Sequence, residues 1–203
     1  YQCTREVKSF WYPTWLAQLA ALVDDSRLID APARGMTIAD ILPFAEDYEF
    51  LVMYTSTPSF VNDVKIAEAF KKINKNIIIG FCGAHVAVNP EHSLLATNAI
   101  DFVAGNEFDF TIKEVAEGKS IQNIDGLTYK KNGIPIHNKK RALIEDMDSL
   151  PWVTKVYKDN LVVTDYYNGY MLHPYMSFYT GRGCKSRCSF CLWPQTISGH
   201  TYR

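Results

Sequence analysis

The strongest constraint on the fold is an alternation. Apolar runs at residues 50–54, 77–79 and 100–103 are separated by segments whose apolar side chains recur at helical spacing. Val64, Ile66, Ala67, Ala69 and Phe70 follow a capping Asn62 or Asp63. A short helix is expected after Pro90, and another from Phe110 to Glu117 that Gly118 ends. Strand, helix, strand in this order predicts parallel pairing, because a parallel pair needs a long crossover and a tight hairpin excludes one. Right-handed crossovers then place helices on both faces of the sheet. The β-branched run 77–79 suits a central strand buried on both faces. Upstream, Trp15, Leu16, Leu19, Leu22 and Val23 outline an amphipathic helix opened by Pro13 and Thr14. Residues 28–29 read as a short strand, and Thr37 with Asp40 as a capping box for a helix reaching about Ala45. Downstream, residues 127–129 and 134–136 flank Lys131-Asn132-Gly133, the signature of a β-hairpin.

Composition narrows the class. Of 203 residues, 47% are hydrophobic and 21% charged, which is globular and not disordered or fibrous. No apolar run approaches the ~18 residues that a transmembrane helix needs. Net charge is −1, so bulk electrostatics do not point to nucleic acid. The charge is unevenly spread: residues 1–150 hold 15 Lys and Arg against 20 Asp and Glu, and residues 151–203 hold 6 against 2. The second stretch also carries 11 of the 27 aromatic residues, so a domain boundary is expected near 150, with a linker starting at Asp146. The chain begins at Tyr1 and stops soon after a cysteine cluster, which reads as an internal piece of a longer protein. The trio Lys139-Lys140-Arg141 reads as a solvated turn, and Tyr166-Tyr167-Asn168-Gly169-Tyr170 as packing between domains.

Five cysteines, an odd number without a secretory signal, argue against a disulfide framework. Cys82 ends an apolar run and reads as a small core residue. Cys184, Cys188 and Cys191 fall within eight residues as C-x3-C-x2-C, directly after Gly181-Arg182-Gly183 and an expected strand at 176–179. Three thiolates on one loop hold three irons of a cubane and leave the fourth open, whereas a fourth thiolate closes an electron-transfer cluster. Lys185 and Arg187 favour thiolates over thiols. A structural zinc knuckle completed by His173 or His200, and plain free thiols, are the alternatives.

The motif C-x3-C-x-aromatic-C after a strand and a glycine-rich turn resembles the cluster loop of radical S-adenosylmethionine (radical SAM) enzymes. The resemblance implies that Cys184, Cys188 and Cys191 bind a [4Fe–4S] cluster. It implies that the open iron chelates S-adenosylmethionine, whose reductive cleavage gives a 5′-deoxyadenosyl radical. Phe190 would lie against the adenine. The α/β segment ahead of the motif resembles the cobalamin-binding domain of the cobalamin-dependent members. Three loops beyond the carboxyl ends of the expected strands, 55–60, 83–85 and 105–107, then become cofactor loops. Ser56, Thr57, Gly83 and Glu107 are the expected cobalamin contacts. The chain has no D-x-H, so no protein imidazole is expected on cobalt, and His85 is expected to be hydrogen-bonded or exposed. Gly105-Asn106-Glu107-Phe108 matches the family's Gly-Glu-x-Glu pattern only in part.

Residues 8–17, 55–60, 83–88 and 191–196 together resemble the hopanoid-biosynthesis-associated radical SAM proteins. That subgroup implies conversion of the side chain of bacteriohopanetetrol into a cyclitol ether. The expected architecture is therefore α/β: a Rossmann-like, cobalamin-binding-type parallel sheet lacking its first strand, with a terminal hairpin (residues 1–145). A linker (146–175) and the start of a truncated radical SAM (β/α) barrel (176–203) follow. The implied cofactors are the [4Fe–4S] cluster, S-adenosylmethionine and cobalamin. The implied partners are an electron donor such as flavodoxin or ferredoxin and a hopanoid lipid, with no nucleic acid and no transmembrane segment. The implied location is the cytoplasm, at most peripheral to the inner membrane. The segment alone is not expected to be active. The competing functions are a cobalamin-dependent radical SAM methyltransferase acting on another substrate, and a non-enzymatic binding module with a zinc knuckle.

Overall fold

The structure, a computed structural model, describes residues 10–203. Cys3 and the first two residues of the 8–17 string lie outside them. In chain order the helices are α1 (Thr14–Leu22), α2 (Ala31–Arg34), α3 (Ile38–Ile41), α4 (Phe44–Asp47), α5 (Phe60–Ile73), α6 (Ala84–Val88), α7 (Pro90–Leu95), α8 (Asp109–Ala116) and α9 (Thr154–Asn160). The strands are β1 (Phe50–Tyr54), β2 (Ile78–Cys82), β3 (Phe102–Ala104), β4 (Leu127–Lys131) and β5 (Ile134–His137). They form one sheet in the order β1-β2-β3-β4-β5. The pairs β1–β2 and β2–β3 are parallel, and β3–β4 and β4–β5 are antiparallel. The expected parallel unit with an appended hairpin is present. The hairpin turns on Asn132 (φ 53°) and Gly133 (φ 78°), two left-handed residues that match the strand twist.

Alternation along the strands divides the core. Phe50, Val52, Tyr54, Cys82, Phe102 and Ala104 face α1 and α8, meeting Trp15, Leu19, Ile112 and Val115. Leu51, Met53, Ile79, Phe81 and Val103 face the other way, onto Ala45, Phe60, Ala67, Phe70, Val86 and Leu94 of α4 to α7. Both faces of the sheet are thus covered. Strand β1 is a sheet edge and all five of its residues are half-buried. A cavity of about 340 Å³ runs along it, lined by Leu16, Leu19, Phe50 and Val52 among others.

Several local expectations are corrected. Residues 28–29 form no strand, because no ladder among the described residues receives them; Leu28 instead packs with α9. The helix expected over 37–45 is two short helices, α3 and α4, since Pro43 has no N–H to continue the ladder. The capping pair is present, with Thr37 N donating to Asp40 Oδ2 at 2.7 Å. Helices α2, α6 and α9 have no counterpart among the sequence expectations. Helix α9 lies inside the stretch read as a linker and joins a third apolar cluster with Phe10, Tyr12, Ala17 and Tyr166. Residues 176–179 are not a strand; among the described residues they have no ladder partner. Arg141 is not solvated: it bonds Thr111 Oγ1, the Asp125 carbonyl and Glu114, while Lys139 and Lys140 are exposed. No helix of the described residues is long and apolar enough to cross a membrane.

Phe102 is fully buried at the centre of the sheet. Phe102→Ala is expected to cost about 3–5 kcal/mol. Val61→Ala, at a residue of α5 that is 67% exposed, should stay within ~0.5 kcal/mol. Urea denaturation of both variants checks the contrast.

Candidate functional site

Parallel strands send all their forward connections to one end of the sheet, so three loops meet beyond Tyr54, Cys82 and Ala104. The first is pinned from below. Thr55 N donates to Cys82 O at 2.8 Å, extending the ladder by one residue. Asp63 of α5 accepts from Thr55 Oγ1 at 2.5 Å and from Ser59 Oγ at 2.7 Å. Ser59 Oγ also caps Ser56 N at 3.1 Å. Thr55 and Ser59 are thereby turned inward, leaving Ser56 half-buried and Thr57 exposed at the loop crest.

The second loop depends on Gly83. Its φ is +107°, and a Cβ there would sit 2.6 Å from Thr55 O, so only glycine lets the two loops touch. His85 follows on α6. It is buried, with Nδ1 3.0 Å from Thr57 Oγ1, its ring 4.3 Å from that of Phe60, and Nε2 without a partner among the described residues. Burial, and then the nearness of His92, depress its pKa, while Asp63 opposes them. His85 is thus hydrogen-bonded, as expected.

The third loop carries Asn106 in the left-handed region (φ 56°) and then Glu107. Glu107 does not point to open space here. It is buried, accepting from Arg203 at 2.7 and 3.0 Å and from Ile144 N at 2.7 Å. Beside it Asp109 takes a bidentate fork from Arg182, at 2.6 and 2.9 Å. Sequence reasoning named neither Asp109 nor the two arginines as site residues. The available signal was an arginine between two glycines, two residues before the first motif cysteine.

The cysteine loop packs against this same end. Its π-helical turn, Pro194–Ser198, contacts α6, and Ile197 joins the core cluster that holds Cys82, Ala104 and Phe108. Trp193 rings with Trp15 at 5.4 Å. All three motif thiols are free; Cys188 is exposed, and Cys184 and Cys191 are half-buried. Cys191 N donates to Cys188 O at 3.1 Å, closing a tight turn between them. Among the described residues no three His, Cys, Asp or Glu side chains converge on a metal position. As a donor set the loop fits an iron–sulfur cluster: three unpaired thiols on one short segment, with Lys185 and Arg187 exposed beside them. His173 is engaged with the Asn168 backbone and stacked 4.5 Å from Tyr167. Phe190 is 87% exposed. Cys82 is fully buried, and burial, with the Asp109 charge, pushes its thiol pKa well up, as suits an inert core residue.

No family model matches the chain. An uncharacterized methyltransferase of Pyrococcus horikoshii is 31% identical over 188 residues, covering 88% of this chain and 40% of that protein. Bacteriochlorophyllide d C-8(2)-methyltransferase of Chlorobaculum tepidum is 23% identical over 177 residues, covering 81% of this chain and 32% of that one. The chain therefore spans two fifths or less of these curated relatives. Among solved structures, the radical S-adenosylmethionine methyltransferase TsrM from Kitasatospora setae, with cobalamin and a [4Fe-4S] cluster bound, superposes with a TM-score of 0.68. That match covers 98% of this chain and 41% of that one at 15% identity. The cobalamin-dependent S-adenosylmethionine radical enzyme OxsB, with aqua-cobalamin and S-adenosylmethionine bound, gives a TM-score of 0.71. It covers 96% of this chain and 27% of that one at 16% identity. The likeness is one of fold: the α/β arrangement with its mixed five-stranded sheet is shared with cobalamin-dependent radical SAM enzymes.

Two outcomes follow. Gly83→Ala should destabilise the protein by roughly 1–3 kcal/mol through backbone strain alone. Displacement of the Thr55 carbonyl should appear as amide shifts at residues 55–59. For His85 the folded pKa lies below the ordinary 6.5, so the unfolded chain binds its proton first. Stability should hold above about pH 6.5 and fall as pH drops below it, and His85→Gln should flatten that fall in denaturant titrations run from pH 7.5 to 5.

Proposed function

We propose that this chain is the cofactor-binding portion of a radical SAM enzyme that holds a [4Fe–4S] cluster, S-adenosylmethionine and cobalamin. One observation carries the reading: a free C-x3-C-x2-C loop packed at the end of a parallel sheet where α/β proteins bind ligands. Its fold likeness to two cobalamin-dependent radical enzymes supports it. Cys184, Cys188 and Cys191 would ligate three irons, and Phe190, open to solvent, would cover the adenine. Ser56, Thr57 and Gly83 offer small, polar, closely approachable surface for a corrin edge. Glu107, engaged by Arg203, would serve the site by support and not by contact. When bound, the cluster supplies the single electron that cleaves the sulfonium bond, delivered to it by a flavodoxin- or ferredoxin-type donor. Residues 1–145, 146–175 and 176–203 would be the cobalamin domain, its connection and the opening of the barrel.

Two chemical outcomes fit these cofactors. The strings shared with hopanoid-associated proteins support action on the bacteriohopanetetrol side chain, performed in the cytoplasm or at the inner-membrane surface. The names of the two curated relatives, both methyltransferases, favour methyl transfer. Deuteromethyl S-adenosylmethionine separates them. A cyclitol ether from bacteriohopanetetrol without label supports the first, and a +3 Da product supports the second.

The full-length protein, reconstituted anaerobically with iron and sulfide, should bind about four irons, absorb broadly near ~400 nm and release 5′-deoxyadenosine. Cys184→Ala, Cys188→Ala and Cys191→Ala should each lose the cluster and the product. Cys82→Ala should keep both at a cost of about 1 kcal/mol in stability. Four irons and normal turnover in Cys188→Ala would sink the assignment. Stoichiometric colourless zinc in the wild type would replace it with a binding module.

A further inference from the structure

Both stems of the cysteine loop end on one pair of acids. The stems run side by side: Arg182 N donates to Arg203 O at 2.9 Å, Arg203 N to Arg182 O at 2.8 Å, and Cys184 N to Gly199 O at 3.2 Å. The approach is so close that a Cβ on Gly183 (φ +92°) would lie 1.9 Å from Thr201 O. Each stem then sends an arginine into the β3–α8 connection. Arg182 forks onto both oxygens of Asp109, and Arg203 onto both oxygens of Glu107. Arg182 also reaches Glu107 Oε1 at 3.7 Å and lies 4.7 Å over the Trp15 ring.

The side chains of Arg182, Asp109, Arg203 and Glu107 are 3%, 0%, 7% and 1% exposed. These are not surface pairs, which contribute little. A buried pair is a poor source of net stability compared with apolar packing, but a bidentate guanidinium–carboxylate fork fixes direction as well as distance. Here the fixed object is the segment adjoining the motif: only Gly183 separates Arg182 from Cys184.

We propose that Asp109 and Glu107 are positioning residues for the cysteine loop. Acting through Arg182 and Arg203, they set Cys184, Cys188 and Cys191 at the end of β3, beside the loops of Thr57 and Gly83. The clamp stands on geometry alone; its consequence for iron rests on the cluster reading above.

The test uses the full-length protein and the variants Asp109→Asn and Arg182→Lys, with far-UV circular dichroism as the check on folding. The first readout needs no cofactor: trypsin cleavage of the apo-protein after Lys185 or Arg187, followed by mass spectrometry. Asp109→Asn should speed that cleavage roughly tenfold or more, since it strands a buried guanidinium. Arg182→Lys, which keeps the charge and loses the fork, should fall between it and the wild type. The second readout is iron content after reconstitution and the electron paramagnetic resonance signal of the reduced cluster with S-adenosylmethionine. Both variants should hold less iron, and the shift in g values on adding S-adenosylmethionine should differ from that of the wild type. Faster cleavage with no iron in the wild type keeps the clamp and removes the cluster reading. Unchanged cleavage in both variants overturns the clamp, whatever the iron content. Loss of the fold in both also overturns it, because the acids would then support the whole core and not the loop.

Discussion

Parallel pairing of β1, β2 and β3 is the constraint from which the rest follows. Parallel neighbours cannot be joined by a tight turn, so the chain must leave each strand at the same end and return along a face. Here α5 and the α6–α7 pair return on one face, while α1 and α8 cover the other. The three forward connections therefore gather beyond Tyr54, Cys82 and Ala104, whatever residues they contain. The antiparallel hairpin β4–β5 extends the sheet on the β3 side and leaves β1 as the opposite edge.

The gathered connections differ in how they are held. Those after β1 and β2 are held by hydroxyl groups donating to the Asp63 carboxylate and by the contact that Gly83 permits. The connection after β3 is held by charge. Its two carboxylates are desolvated and each meets a guanidinium fork, so the Arg182 pKa is raised by Asp109, then Glu107, against the lowering effect of burial. Removing one partner from such a pair costs about 3–5 kcal/mol, because an uncompensated charge stays behind. This makes the junction between sheet and cysteine loop specific in orientation, while the apolar contacts of Ile197 and Trp193 supply the burial.

Much of the fold is legible in the amino-acid sequence. Residues 50–54 form a strand at those bounds, and the hairpin around Asn132-Gly133 turns as its residues require. The strand read at 77–79 is displaced toward Cys82, because periodicity in a continuous apolar run does not mark its ends. Residues 28–29 and 176–179 have strand-like composition, yet neither is a strand: a ladder needs a neighbour, and local sequence does not say whether one is there. Helix α9 escapes a reading of the sequence because it has few apolar residues of its own and is fixed from outside, by Tyr12, Thr14 and Tyr166.

By itself the sequence determined the parallel unit, the hairpin and the metal-type spacing of Cys184, Cys188 and Cys191, since each is a property of neighbours along the chain. Periodicity, turn chemistry and ligand spacing act over a few residues and leave local marks. Only the tertiary structure decided that Glu107 faces Arg203, that Asp109 faces Arg182, and that Ile197 fills the core beside Cys82. Those partners stand 73 to 115 positions apart in the chain, counted from their residue numbers. A buried charge selects its counter-charge by proximity in space once both are out of water, and no pattern in a single sequence records that choice.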